Sequence, residues 1–297
     1  MKKLLISLSA LAFALSANAA WNTSSTSGYW NDVSIWNQGH TPSVDDDGIN
    51  IGNNTTVYIN TAVDPIKTMF IKPNGSLVFK QGASLTSTGG IAMDGVGSNI
   101  KFLGGSYVTA TNINHNNHGD FYFGGYDDVT GDFVAAVAKS VNSTARLQWV
   151  ADTTATFNLA ASNLIDGKVS GRDDNAIFYT TGELQVIKNE ILLDFTNITV
   201  ESLAQSGIAD SGTYYVALAS WGITYKAIGG ADFNPTLSAD SHDTDLVSFE
   251  GFEWGNGTSQ SNNTLYAVLN VSIPEPATYA ALFGALALAF AAYRRRK

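Results

Sequence analysis

From residue 49 to 123 the chain reads as a run of short β segments, at 56–59, 69–71, 77–79, 85–86, 91–93, 100–102, 107–109 and 121–123. Turn signals separate them, among them Pro73-Asn74-Gly75, Gly89-Gly90 and Gly104-Gly105. Apolar positions recur: Leu77 returns as Ile100 after 23 residues, and Leu85 returns as Tyr107 after 22. A period of roughly 20 to 25 residues with three short strands per turn predicts a right-handed parallel β-helix. The repeat is degenerate, so an antiparallel sandwich stands as the alternative. Ahead of this run, 21–28 is rich in Ser, Thr and Gly and predicts a flexible lead-in. Trp30 and Trp36 then precede a turn at Gly39 and Pro42 and the acidic Asp45. Bulky indoles suit the cover that a coil needs over its first turn. The alternative is a platform that stacks on sugar rings.

After residue 130 the pattern changes. Residues 133–138 fit one short helix or a buried strand, and mark a junction between two halves. From 144 onward the strands lengthen and alternate, as in Leu147-x-Trp149, Leu184-x-Val186, Ile191-x-Leu193-x-Phe195, Tyr214-x-Val216-x-Leu218 and Leu265-x-Ala267-x-Leu269-x-Val271. Residues 200–206, closed by Gly207, predict a two-turn helix with glycine just past its end. The expected fold class is therefore all-β. A parallel β-helix or solenoid-like part occupies 21–130 and an antiparallel β region occupies 131–273.

The two ends carry targeting patterns. Met1-Lys2-Lys3, an apolar stretch over 4–15 and Ala17-Asn18-Ala19 together form a secretory signal peptide over 1–20, cut after Ala19 or Ala20. At the other end Pro274-Glu275-Pro276 precedes seventeen uncharged residues, 277–293, and then Arg294, Arg295, Arg296 and Lys297. As a helix that run spans roughly 26 Å, at the short end of what crosses a bilayer. The terminal cations place its end in the cytoplasm. Read on physics alone, the tail is a plain anchor helix.

Pro-Glu-Pro, a short apolar helix and an arginine cluster, in that order at the extreme C-terminus, resemble the PEP-CTERM sorting signal of Gram-negative bacteria. This signal is also catalogued as an ice-binding protein C-terminal domain, a label that carries no antifreeze activity. The resemblance covers about 24 of 297 residues, 274–297. It implies export through the Sec machinery and an inner-membrane intermediate held by the C-terminal helix. Recognition by an exosortase follows, with cutting near Pro274 to Pro276 and release or attachment at the outer surface. Gly75-Ser76-Leu77-Val78-Phe79 and Gly82-Ala83-Ser84-Leu85-Thr86 likewise resemble the Gly-x-Leu rungs of autotransporter-repeat surface β-solenoids.

Charge and composition narrow the function classes. All 26 acidic residues but only 10 of the 16 basic ones lie between residues 21 and 276, which leaves that region at −16. Such a body repels nucleic acid and anionic membranes and suits divalent cations. Zero cysteines exclude disulfides, thiolate metal sites and cysteine catalysis.

The candidate chemistry is sparse. Asp45-Asp46-Asp47, Asp127-Asp128 with Asp132, and Asp173-Asp174 are carboxylate clusters open to a calcium reading or a solvated-turn reading. His115, His118 and Asp120, and Asp240, His242, Asp243 and Asp245, are loose metal-like groupings without a known spacing. Trp149, Trp221, Trp254 and Tyr266 offer rings either to glycans or to a core. No Gly-x-Ser-x-Gly elbow occurs, and nothing in the linear sequence singles out a catalytic carboxylate pair. The expectation is a non-enzymatic surface or matrix protein without a cofactor, whose β-rich body contacts extracellular polysaccharide. The alternatives are a polysaccharide-active β-helix lyase or glycoside hydrolase, and a calcium-binding surface module.

Overall fold

The computed structural model describes residues 20–115, 119–149, 154–186, 190–227, 235–239, 241, 243–255, 262–274 and 294. The chain is mostly β, with both parallel and antiparallel pairing. Numbered along the chain, the strands fall into two large sheets and one small pair. The first sheet runs β1 (Trp21–Thr23), β3 (Gly48–Ile51), β5 (Met69–Ile71), β7 (Ser84–Met93), β9 (Tyr107–His115), β13 (Val141–Trp149), β15 (Phe178–Thr180), β18 (Gly212–Trp221), β22 (Asn263–Val271), β21 (Val247–Trp254). Beside it, β16 (Glu183–Val186) pairs with β13 and with β19 (Tyr225–Ala227). The second sheet runs β2 (Gly28–Tyr29), β4 (Thr56–Ile59), β6 (Ser76–Phe79), β8 (Ser98–Phe102), β10 (Gly119–Phe123), β14 (Thr154–Asn158), β17 (Glu190–Asp194), β20 (Thr236–Leu237). Between them in sequence, β11 (Gly125–Tyr126) and β12 (Phe133–Val134) form an antiparallel pair of their own. Strands alternate between the large sheets, so the chain coils and lays a strand on each sheet per turn.

Inward residues stack from turn to turn and form one core. Val57, Leu77, Ile100, Phe121, Ala155 and Ile191 align along the second sheet. Beside them Phe79, Phe102, Phe123 and Phe157 stack at ring-centre distances of 5.0, 5.5 and 5.0 Å, with interplanar angles of 12°, 4° and 18°. Such stacked pairs add about 0.5–1.5 kcal/mol each beyond area burial. The main cluster of buried apolar residues extends from Trp30 to Val271, and a smaller one holds Ala176, Ala217 and Tyr266. Corners repeat as well: Asn54 and Asn74 both take left-handed backbone, with φ of 55° and 54°. The Asn74 side-chain amide donates to Asn54 Oδ1 at 3.1 Å.

Several expectations hold in detail. The segments at 56–59 and 69–71 are β4 and β5, and Leu77 pairs with Ile100. The helix α1 (Val200–Gln205) is capped by Thr199, whose hydroxyl accepts from Ser202 N, and Gly207 follows at φ 77°.

Others are corrected. Leu85 pairs with Val108, not with Tyr107, which points outward and is 46% exposed. The three strands per turn resolve into β6 plus one long strand, β7, kinked where its register with β9 shifts between Ser87 and Gly90. The 21–28 stretch holds β1 and runs into β2 at Gly28 instead of forming a flexible lead-in. Within 133–138 only Phe133–Val134 is strand, and it leaves the coil to pair with β11.

Parallel ladders also cross residue 131, where β9 pairs with β13 and β10 with β14, and they continue beyond it as β14 with β17 and β15 with β18. The antiparallel pairing expected over all of 131–273 is confined, within the large sheets, to β18, β22 and β21. Alternating hydrophobicity marks a strand with two different faces but carries no information on its direction.

Both ends of the coil are closed. At the N-terminal end Trp30 and Trp36 are each 3% exposed and meet edge to face at 5.2 Å, with the Trp36 indole N–H donating to Trp30 O. The free edge of β1 is covered by the following loop. Thr23 N donates to Asn37 Oδ1 at 2.8 Å, and Gln38 Nε2 donates to Trp21 O at 3.2 Å. At the C-terminal end β21 is the edge strand. It carries exposed Glu250 and Glu253 and a register shift at Gly251, features that discourage further pairing.

Candidate functional site

A groove of about 460 Å³ lies on the outer face of the second sheet, lined by Ser76, Val78, Asn99, Lys101, Tyr122, Tyr126, Thr156 and Asn158 with Gly124 and Gly125. The volume is within the roughly 300–1,000 Å³ of small-molecule sites. Its floor follows from strand alternation: inward Phe79, Phe102, Phe123 and Phe157 turn their neighbours to the opposite face of the sheet, where Val78 is still buried and Lys101, Tyr122 and Thr156 are half-buried. Val78, Lys101, Tyr122 and Thr156 therefore form one aligned outward column across four strands.

The wall is the excursion that carries β11 and β12. Gly124 and Gly125 make the sharp exit from the sheet, with φ of 72° and 113°. A side chain at Gly124 would also lie 2.5 Å from the Val134 carbonyl oxygen. The excursion is tied down along its length. Lys101 Nζ donates to Tyr126 O at 2.9 Å, and Tyr126 OH donates to Asn197 Oδ1 at 3.1 Å. Its tip is clamped by Lys80, which pairs with Asp127 at 3.3 Å and with Asp128, and lies 5.2 Å from the Tyr58 ring centre.

These contacts set the protonation states. Asp127 is held below the usual carboxylate range, first by the Val129 N–H and then by Lys80. Asp128 is lowered chiefly by its hydrogen bond to Lys80. Burial works against the charge on Lys80, but the hydrogen bonds it donates to Asp128 and Asp127 outweigh it and its pKa stands above the ordinary value. Lys101 is shifted the other way, lowered by burial. Burial, with Asp120 nearby, raises the Tyr122 phenol.

The other candidate residues are structural where they are described. Asp46 is 3% exposed and accepts from Ser43 N at 2.9 Å, so it organises the 43–46 turn, while Asp45 and Asp47 face solvent. Asp173 is 2% exposed and receives the Tyr266 hydroxyl at 2.8 Å; Asp174 pairs with Lys139 at 2.9 Å. Asp132 is exposed at the tip of the excursion. Asp120 Oδ1 accepts from Thr154 N, and Asp243 Oδ1 from Phe249 N. Among the described residues no three His, Asp or Glu side chains are grouped to hold a metal ion. Trp221 and Tyr266 are fully buried and Trp254 packs edge to face on Trp221, so these rings belong to the core. Trp30 and Trp36 form the expected buried cap, and the alternative of a sugar-stacking platform there is ruled out by their burial.

His118, Asp240 and His242, the Trp149 and His115 side chains, Ala19, Glu275, Pro276, Arg295, Arg296 and the apolar run 277–293 lie outside what is described. Ala20 is the residue before β1, and its carbonyl accepts from Asp47 N at 3.3 Å. Pro274 follows Ile273, whose N–H donates to Ser211 Oγ at 2.8 Å, and Arg294 is exposed. No helix among the described residues is long and apolar enough to cross a membrane.

The groove itself escaped the sequence reading. Its signal is the residue just before each inward aromatic: Val78 before Phe79, Lys101 before Phe102, Tyr122 before Phe123, Thr156 before Phe157. No family model, curated protein or solved structure matches the chain.

Proposed function

We propose that the chain is an exported cell-surface or matrix protein whose body, a two-sheeted parallel β-solenoid, holds extracellular polysaccharide without cutting it. The supporting observation is the groove on the second sheet. Tyrosine rings, amides and hydroxyls there offer stacking faces and neutral hydrogen-bond partners, the surface that sugar rings require. Glycosidic cleavage needs a carboxyl with a raised pKa to protonate the leaving group. The carboxyls of Asp127 and Asp128 beside the groove are instead lowered and tied to Lys80.

Delivery rests on the two ends of the sequence: a signal peptide over 1–20 and a tail over 274–297 read by an exosortase. The final strand reaches Val271 only three residues before Pro274, so the folded body sits directly on the segment to be processed. Two measurements test this reading. Retention of the purified full chain on immobilised polysaccharides, without new reducing ends, is expected of a binder, and new ends would contradict it. The mass of the envelope form from an exosortase-competent cell is expected to lack Arg294 to Lys297. An intact C-terminus would remove the processing step.

A further inference from the structure

We propose that the groove selects an acidic glycan, a single extended chain in which uronic-acid rings alternate with neutral ones, with one carboxylate seated on Lys101 Nζ. The inference rests on the polysaccharide-binding reading above and adds the charge and direction of the ligand. Four other lysines have carboxylate partners: Lys72 with Asp94, Lys80 with Asp127 and Asp128, Lys139 with Asp174, and Lys168 with Glu253. Lys101 has none within ion-pair distance among the described residues, although it is partly buried and lines the groove. Its hydrogen bond goes to the Tyr126 carbonyl, which leaves two of three ammonium protons for a ligand. Asp127 and Asp128 reach it only through space, and both are already held by Lys80.

A desolvated cation facing a groove is recovered by an anion that brings charge and acceptors together. One cation among carboxylates matches a ligand with a single, spaced charge better than a dense polyanion. Direction follows from the outward column. Val78, Lys101, Tyr122 and Thr156 sit on adjacent parallel strands about 4.8 Å apart, a track of roughly 14 Å. That step is close to the length of one linked pyranose ring, so successive rings meet successive strands. The ring beside the bound carboxylate falls on Tyr122, the partner of Lys101 across the ladder. Asn99 and Asn158 flank the column with amide groups for ring hydroxyls.

The test uses the full chain and a hyaluronan hexasaccharide, in which glucuronate alternates with a neutral sugar, against the same hexasaccharide with its carboxyls reduced to alcohols. Reduction is expected to weaken binding by roughly tenfold, the loss of one charge-assisted hydrogen bond. Lys101→Met should abolish that difference while Lys101→Arg keeps it, and thermal midpoints measured alongside separate loss of contact from loss of fold. Binding of the acid form is expected to fall as salt rises, because the pair is only partly buried. Equal binding of both hexasaccharides by the wild-type chain, or an unchanged difference in a folded Lys101→Met, overturns the charge assignment. Retention on neutral polysaccharide alone overturns it too, and leaves the broader reading standing. Retention on no polysaccharide at all overturns both.

Discussion

The two ends of the coil face the same physical problem and solve it differently. Each ends a stack of parallel strands, and each would otherwise offer open backbone to another chain. The N-terminal end is closed by a short local segment: Trp30 and Trp36 cover the core, and Asn37 and Gln38 occupy hydrogen-bonding positions along the edge of β1. The C-terminal end is closed by reversing strand direction, with β22 returning antiparallel against β18 and β21 against β22. That second closure traps polar groups. Tyr266 OH reaches Asp173 at 2.8 Å, and Thr264 Oγ1 accepts from Asp173 N at 2.9 Å, all in buried positions. An apolar plug depends on volume, whereas a polar one depends on complete pairing.

The contrast can be broken at either end. Trp36→Ala should cost about 3–5 kcal/mol, the range for removing a large buried aromatic. Denaturant midpoints give the size, and amide exchange should place the loss in the first turns, since a coil is coupled mainly to its neighbours. Tyr266→Phe should cost about 1–3 kcal/mol, because the buried Asp173 carboxylate loses its hydroxyl donor.

The same tyrosine gives a pH signature. Burial, then the bond to Asp173, raises its pKa well above the ordinary phenol range. A raised pKa stabilises the fold fully below the unfolded value of about 10, and that contribution is lost as pH rises through the folded one. Wild type should therefore lose thermal stability above about pH 10, and Tyr266→Phe should decline less steeply there. Equal slopes would contradict the account of this end.

Asn37→Ala opens one edge hydrogen bond that water can replace, and should cost about 0.5–1 kcal/mol. Glu253→Gln removes a partly exposed pairing with Lys168 on the outermost strand, and should cost less still, about 0.5 kcal/mol.

Sequence and structure part company where turn length varies. From Leu77 to Ile100, and from Leu85 to Val108, the rung is 23 residues, so the repeat is visible. From Ile91 to Ile113 it is 22, because the kink in β7 carries one more residue than the kink in β9. Leu85 was misaligned for a different reason: its true partner Val108 stands beside Tyr107, an aromatic that faces outward. From Phe123 to Phe157 the rung grows to 34, because the excursion holding β11 and β12 is inserted there. The period then disappears from the sequence although the parallel ladder does not, since a coil needs only its inward residues to align. The tryptophan cap was legible because its residues are near neighbours in sequence. The groove was not, because Lys101, Tyr122 and Asn158 meet only through the register of separate turns and the fold-back of an inserted loop.

The central claim, that the outer face of the second sheet holds polysaccharide without cutting it, is tested most directly by one paired experiment. The full chain and its Tyr122→Ala variant are passed over the same immobilised polysaccharides, and retention and new reducing ends are scored together. The expected result is retention of the wild type, at least tenfold weaker retention of a folded variant, roughly the loss of one stacked ring, and no new ends from either. Equal retention of the two would move binding off this face, and new chain ends would make the protein an enzyme.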